Sequence, residues 1–329
     1  MSHEIDKSNS RANIAFVGAT PWHGLGQAME ADAGLDVWRE QAGMAWQIEY
    51  SVVEYNNRVQ DDVMSFPEKK VLYRSDTGEP LAVVSDKYKV VQPETILEFY
   101  RDLIDSAGFK MSTAGVLFGG KKFWALAEIG KTASIKQGDV LNGYLLLSTA
   151  CDGSMATVAQ FTSIRVVCNN TLRLAVQKGD GSSKPRLTVS HASTFNPEKV
   201  KLELGLSGNS WDVFIEDARR MANRPLSPSE EVTWLVDTFG DPDMALEDQA
   251  ASDAKVMKHI YSLYAGAGKG AHLPSAEKTL WGMMNATTQY LDFETGHKTM
   301  DARFDKAQFG DSAAVKEKAW NNSLMLLST

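Results

Sequence analysis

Cysteine is nearly missing from this chain: Cys151 and Cys168 are the two in 329 residues. Two thiols are too few for a disulfide framework or a four-thiolate zinc centre, so both read as reduced and structural. No apolar run approaches the ~20 residues that a membrane helix needs. The opening MSHEIDKSNSRAN has neither the apolar stretch of a signal peptide nor the amphipathic pattern of a transit sequence. The expectation is a cytoplasmic protein with no membrane partner. Catalytic signatures are missing too: there is no Gly-x-Ser-x-Gly elbow, no two-histidine zinc helix and no dinucleotide fingerprint. GAGKGAH, at 266–272, lacks the glycine five residues before Gly268 and the Ser/Thr after Lys269 that a phosphate loop requires. Asp292, Glu294, His297, Asp301 and Asp305 form an acidic cluster with one histidine, and oxygen ligands suit magnesium. Its spacing matches no known binding loop, so no metal, cofactor or catalytic residue is assigned; a metal-dependent nuclease stays as a third reading.

What is present is an uneven charge. The net charge of −8 argues against a nucleic-acid partner until it is counted by segment. Residues 1–108 balance to −8, residues 109–190 to +6 and residues 191–329 to −6. A basic middle between acidic flanks points to an anionic partner, or to a fold that neutralises itself. Both stay open.

Periodicity and turn signals give an α+β fold: an antiparallel, hairpin-rich sheet with packed helices, followed by a mainly helical C-terminal region. Residues 1–20 read as disordered, 21–190 as the α+β core and 191–329 as the helical region. The Pro/Ser/Gly-rich stretch near 179–197 is the boundary candidate. PWHGLG, at 21–26, is a compact turn, and a short helix follows near 32–43. VLYRSDTGEPLAVVS reads as a hairpin and KYKVVQ as a further strand. An amphipathic helix starts at Pro93 and stops at Gly108. VLFGGKKFWALAEIG is a hairpin turning at Gly119-Gly120, and a second one turns around Asp152-Gly153. Ser227, Pro228 and Glu230 make a capping box, and later helices are expected over 250–265, 275–292 and 312–327.

FTSIRVVCNNTLRLAVQK, at 161–178, reads as a helix from Thr162. Ile164, Val167, Cys168, Thr171, Leu172, Ala175 and Val176 then form one apolar stripe. Arg165, Asn169, Arg173 and Gln177 fall on another face, where guanidinium and amide groups suit phosphates and base edges. The alternative is an ordinary solvated face. Lys121, Lys122 and Trp124 beside the Gly-Gly turn combine charge with an aromatic, as single-strand grooves do, although Trp124 also suits a core. Lys178, Lys184 and Arg186 lie in a Gly/Ser-rich stretch and extend the positive tally as a phosphate-binding arm.

Several segments in order carry a resemblance. PWHGLG, RSDTGEPLAVVSDKYKVVQ, GGKKFWALAEIG, LLLSTACDGSMATVAQFTSIRVVCNNTLRLA, NATTQYLDF and FGDSAAVKEKAWNNSL together resemble the phage/plasmid-like family known as domain of unknown function 932. The resemblance runs from about Pro21 to Leu326 and implies an origin in phages, prophages or plasmids. It brings no catalytic residue. Element order and charge placement are more distantly similar to the single-strand annealing recombinases of phages, in which hairpins and a helix form a basic groove and subunits assemble around DNA. The expectation that follows is a non-enzymatic, self-associating protein that binds single-stranded DNA through its basic middle in recombination or replication. The alternative is a protein-interaction factor engaging a host protein.

Overall fold

The computed structural model describes residues 11–18, 26–165, 167, 171–173, 176–177, 183–184, 186–204, 209–241, 243–244, 246–296 and 310–328. The strands begin with β1 (Ile14–Val17), β2 (Gln27–Met29), β3 (Ile48–Asn57), β4 (Asp62–Arg74) and β5 (Pro80–Ser85). They continue with β6 (Lys110–Leu117), β7 (Lys122–Lys136), β8 (Asp139–Ala150) and β9 (Thr157–Arg165), then the short β10 (Thr171–Arg173), β11 (Val176–Gln177), β12 (Ser183–Lys184) and β13 (Leu187–Val189). The helices are α1 (Leu35–Gln41), α2 (Pro93–Ala107), α3 (Pro197–Glu203) and α4 (Asn209–Ala222), followed by α5 (Pro228–Phe239), α6 (Ala251–Ser262), α7 (Leu280–Gln289) and α8 (Asp311–Leu326). The class is α+β with a helical C-terminal part.

The chain divides into two compact units. The first holds Met1–Gly130, Tyr144–Phe161 and Lys178–Leu206, and the second Lys131–Gly143, Thr162–Gln177 and Ser207–Thr329. The boundary therefore does not fall once, within 179–197. Strands β7, β8 and β9 are long enough to serve both units, and the basic middle is divided between them.

In the first unit the main sheet runs β2-β1-β6-β7-β8-β9, with β13 also paired to β9. β1 and β2 are parallel, while β1–β6, β6–β7 and β9–β13 are antiparallel. β1 falls inside the segment expected to be disordered; Ile14, Ala15 and Phe16 are buried, which is enough apolar area to hold a four-residue strand in place. Helix α2 ends as expected at Gly108, whose φ of 68° only glycine adopts readily. Its Tyr100 is buried, with the hydroxyl 2.8 Å from Ala125 O and 2.9 Å from Leu145 O. β3, β4 and β5 form a separate antiparallel sheet. The β4–β5 hairpin was expected, but the long β3–β4 ribbon was not. KYKVVQ forms no ladder strand; it runs extended into α2.

In the second unit α7 is buried along its whole length, so it serves as the central helix. The capping box at Ser227 and Glu230 is present as expected. Polar groups in this unit are satisfied in place. The Trp234 indole donates to Ser323 Oγ at 3.1 Å, and Ser275 and Trp281 both donate to the fully buried Asp139 carboxylate. Lys136 Nζ donates to Ala222 O at the end of α4.

The described residues of 161–178 form strands, not a helix. β9 continues to Arg165, and β10 returns antiparallel, pairing Thr171 with Ile164 and Arg173 with Thr162. Residues Thr157–Ser163 are all buried because β9 is an interior strand. A strand covered on both faces loses its alternation, and here the remaining apolar positions happened to fall at helical spacing. The stripe through Arg165, Asn169 and Arg173 disappears with the helix.

Candidate nucleic-acid interface

The GGKKFW turn is fixed by groups beneath it. Register pairs Leu117 with Lys122, leaving four residues in the turn rather than two. Gly120 has φ +104°, and a Cβ there would stand 3.1 Å from Trp46 and 3.2 Å from the Arg74 guanidinium. Arg74 is buried, 4.3 Å from the Trp46 ring centre, and forks onto Asp76 at 2.9 and 2.8 Å. That contact holds the Asp76 carboxyl below its ordinary range. The turn thus places Lys121, half-buried, beside Cys151, whose N–H donates to Lys121 O at 2.8 Å. Burial, with Asp152 adding to it, pushes the Cys151 thiol up to about 12, so it is a packing group and not a nucleophile.

Next to Cys151 opens a cavity of about 380 Å³ lined by Ser85, Lys87, Tyr88, Gly153, Ser190 and His191, among others. Tyr88 and His191 stack with ring centres 4.5 Å apart. Tyr88 donates its hydroxyl to Ala150 O at 2.9 Å, and burial raises its pKa, so the hydroxyl stays protonated. His191 is held at both nitrogens: Nδ1 is 2.9 Å from Lys89 O, and Nε2 is 3.4 Å from Thr149 Oγ1. A carbonyl only accepts, so Nδ1 carries a proton. Lys89 N–H donates back to His191 O at 2.8 Å, which ties the KYKVVQ segment to the turn after β13.

Two tight turns rim the cavity. Ser154 N–H bonds Asp152 Oδ1, and Ala192 N–H bonds Ser190 Oγ. Lys87 and Lys89 are exposed at this end, and Lys70 Nζ donates to Asp86 O and Tyr88 O. Lys87 thus brings an ammonium group to a cavity beside the Tyr88–His191 stack.

The residues expected from sequence fare differently. Lys121 belongs to this end of the sheet. Trp124 is 4% exposed and Lys122 9%, with the Lys122 ammonium 5.5 Å from the Phe118 ring centre. Trp124 is the core tryptophan that its alternative reading allowed, because β7 is an interior strand; it has no free face for a base. Arg165 ends β9, Arg173 ends β10 and Lys184 ends β12, while Arg186 is half-buried just before β13. Asn169 and Lys178 lie outside the described residues. Lys87, Tyr88, Lys89 and His191 were missed. KYK carries the same lysine–aromatic signal as KKFW, but it was read only as a strand.

In the acidic cluster, Asp292 is buried against Lys316 Nζ at 2.7 Å, and Glu294 is bonded by His259 and Gln289. His297, Asp301 and Asp305 lie outside the described residues. Among the described residues no group of three or more His, Cys, Asp or Glu could hold a metal ion, and no helix is long and apolar enough to cross a membrane.

Residues 80–319 match the family described as domain of unknown function (DUF932). The chain belongs to this family. The match begins well after Pro21, where the resemblance starts, and it contains every residue lining the cavity. No curated protein matches the chain, and no solved structure does.

Proposed function

We propose that this protein binds and anneals single-stranded DNA, as a cytoplasmic, phage- or plasmid-type factor in recombination or replication. One observation supports the reading most: the cavity that Lys87 lines beside the Tyr88–His191 stack, with the backbones of Lys89 and Lys121 tied to His191 and Cys151 next to it. The lysines hold the phosphates of a passing strand, and a base enters against Tyr88, a contact that any base can make. The turns at Ser154 and Ala192 position the strand without reading its sequence. The chain contributes binding, charge neutralisation and a track for the second strand, with self-association bringing several tracks together. Anisotropy of a labelled oligonucleotide at low salt, followed by annealing of complementary strands, tests this. Binding that weakens in Tyr88→Leu is the expected result; absence of any binding at low salt overturns the proposal.

A further inference from the structure

The sheet of β3, β4 and β5 carries apolar groups where a solvent-facing sheet is ordinarily polar. Register pairs Val53 with Phe66 and Tyr55 with Met64, and alternation along β3 puts these four on one face, on the tip side of the register shift between Val52 and Val53. On that face Tyr55 is 50% exposed, Phe66 40% and Met64 36%. The opposite face packs inward at the base, where Leu72 and Val84 are buried, and exposes Tyr50, Val52 and Val63 with no apolar pair among them. Two exposed charges bracket the outer face. Asp62, paired with Asn57, sits at the ribbon tip, and Lys69, paired with Ser85, sits at its shoulder. Neither makes a salt bridge among the described residues. About five residues separate the two levels, or about 17 Å at ~3.4 Å per residue.

We propose that this face docks on the same face of a second copy of this chain, with the two ribbons antiparallel about a two-fold axis. With the axis near Val53 and Tyr55, Asp62 of each copy meets Lys69 of the other. The apolar pairs then close between those two contacts. The surface is self-complementary in charge as well as in hydrophobicity, which is what an isologous interface requires. Nucleic acid is a poor occupant, because β3 and the ribbon tip hold Glu49, Glu54, Asp61 and Asp62 against Arg58 alone. β3 and β4 also precede the residues matched to the family, so the face is a property of this chain's own N-terminal part. The proposal stands apart from the DNA reading, since Lys87 and Lys121 are not on this face.

Sedimentation velocity across the micromolar range decides it. The wild type should be dimeric, and Tyr55→Asp/Phe66→Asp monomeric with an unchanged melting temperature. Asp62→Lys should weaken the dimer about tenfold, and adding Lys69→Asp should restore it. The charge pair decides the matter even if the aspartates disturb the ribbon. A monomeric wild type, an oligomer that survives Tyr55→Asp/Phe66→Asp with its fold intact, or a charge swap that fails to restore association would each overturn the proposal. So would loss of DNA binding in Tyr55→Asp with no change in mass, which would give the face to nucleic acid.

Discussion

The two units differ in how they use their polar groups. The second buries them in pairs: Lys316 with Asp292, Trp234 with Ser323, Tyr264 with Glu231, and Asp139 with Ser275 and Trp281. The first also buries polar pairs, Thr149 with Thr157 and Lys201 against Asp102 among them, and uses Arg74 with Asp76 to set a turn. Lys87, Lys89 and Lys69 of the first unit stand at the surface. A buried pair fixes a structure because losing one partner strands the other, whereas an exposed lysine contributes little to folding. The second unit thus holds its own helices in register, while the first carries the surface that the proposed function uses.

The comparison breaks most readily at Lys316. Replacing Lys316 with Met leaves the Asp292 carboxylate buried without its ammonium and should cost about 3–5 kcal/mol in a urea titration. Lys87→Ala in the same titration should stay within about 0.5 kcal/mol. Equal losses from both would erase the distinction. A smaller effect is expected from Ser323→Ala, which removes the acceptor of the buried Trp234 indole and should lower stability by about 1 kcal/mol.

The smallest effect depends on pH. Arg224, and then the Ser227 backbone and hydroxyl, hold the Glu230 carboxyl at about 2. A folded value below the unfolded one means that this contribution is complete above the ordinary carboxylate range and is lost as pH falls toward about 2. The gap in urea midpoint between wild type and Glu230→Gln should therefore be widest near neutrality and shrink steadily in acid. A gap that widens in acid would reverse the sign.

Sequence reading succeeded where a local signal was sufficient. Pro93 and Gly108 bound α2, Gly119-Gly120 mark the β6–β7 turn, and Ser227 with Glu230 opens α5. It failed where burial by distant segments decided the outcome. The strand after Asp152-Gly153 was read only as far as Phe161, because Thr157–Ser163 is covered on both faces and keeps no alternation to carry it on to Arg165. A strand was expected to follow the 32–43 helix at Ile48, but its length and pairing with β4 were not, because its outer face mixes Glu49 and Ser51 with Val53 and Tyr55, a pattern of neither a buried nor a plainly amphipathic strand. The cavity was out of reach for another reason: Lys89 and His191 are 102 residues apart and meet only after β13 pairs with β9. Lys121 was found through its turn, but its partners could not be.

The most direct test of the account is the salt dependence of single-stranded DNA binding in the wild type and in Lys87→Ala/Lys121→Ala. Each phosphate contact on a single strand adds about 0.7 to the slope of log affinity against log salt. The account predicts measurable wild-type binding at low salt, and a slope shallower by about 1.4 in the double variant at unchanged melting temperature. An unchanged slope, or no binding in the wild type, would contradict it.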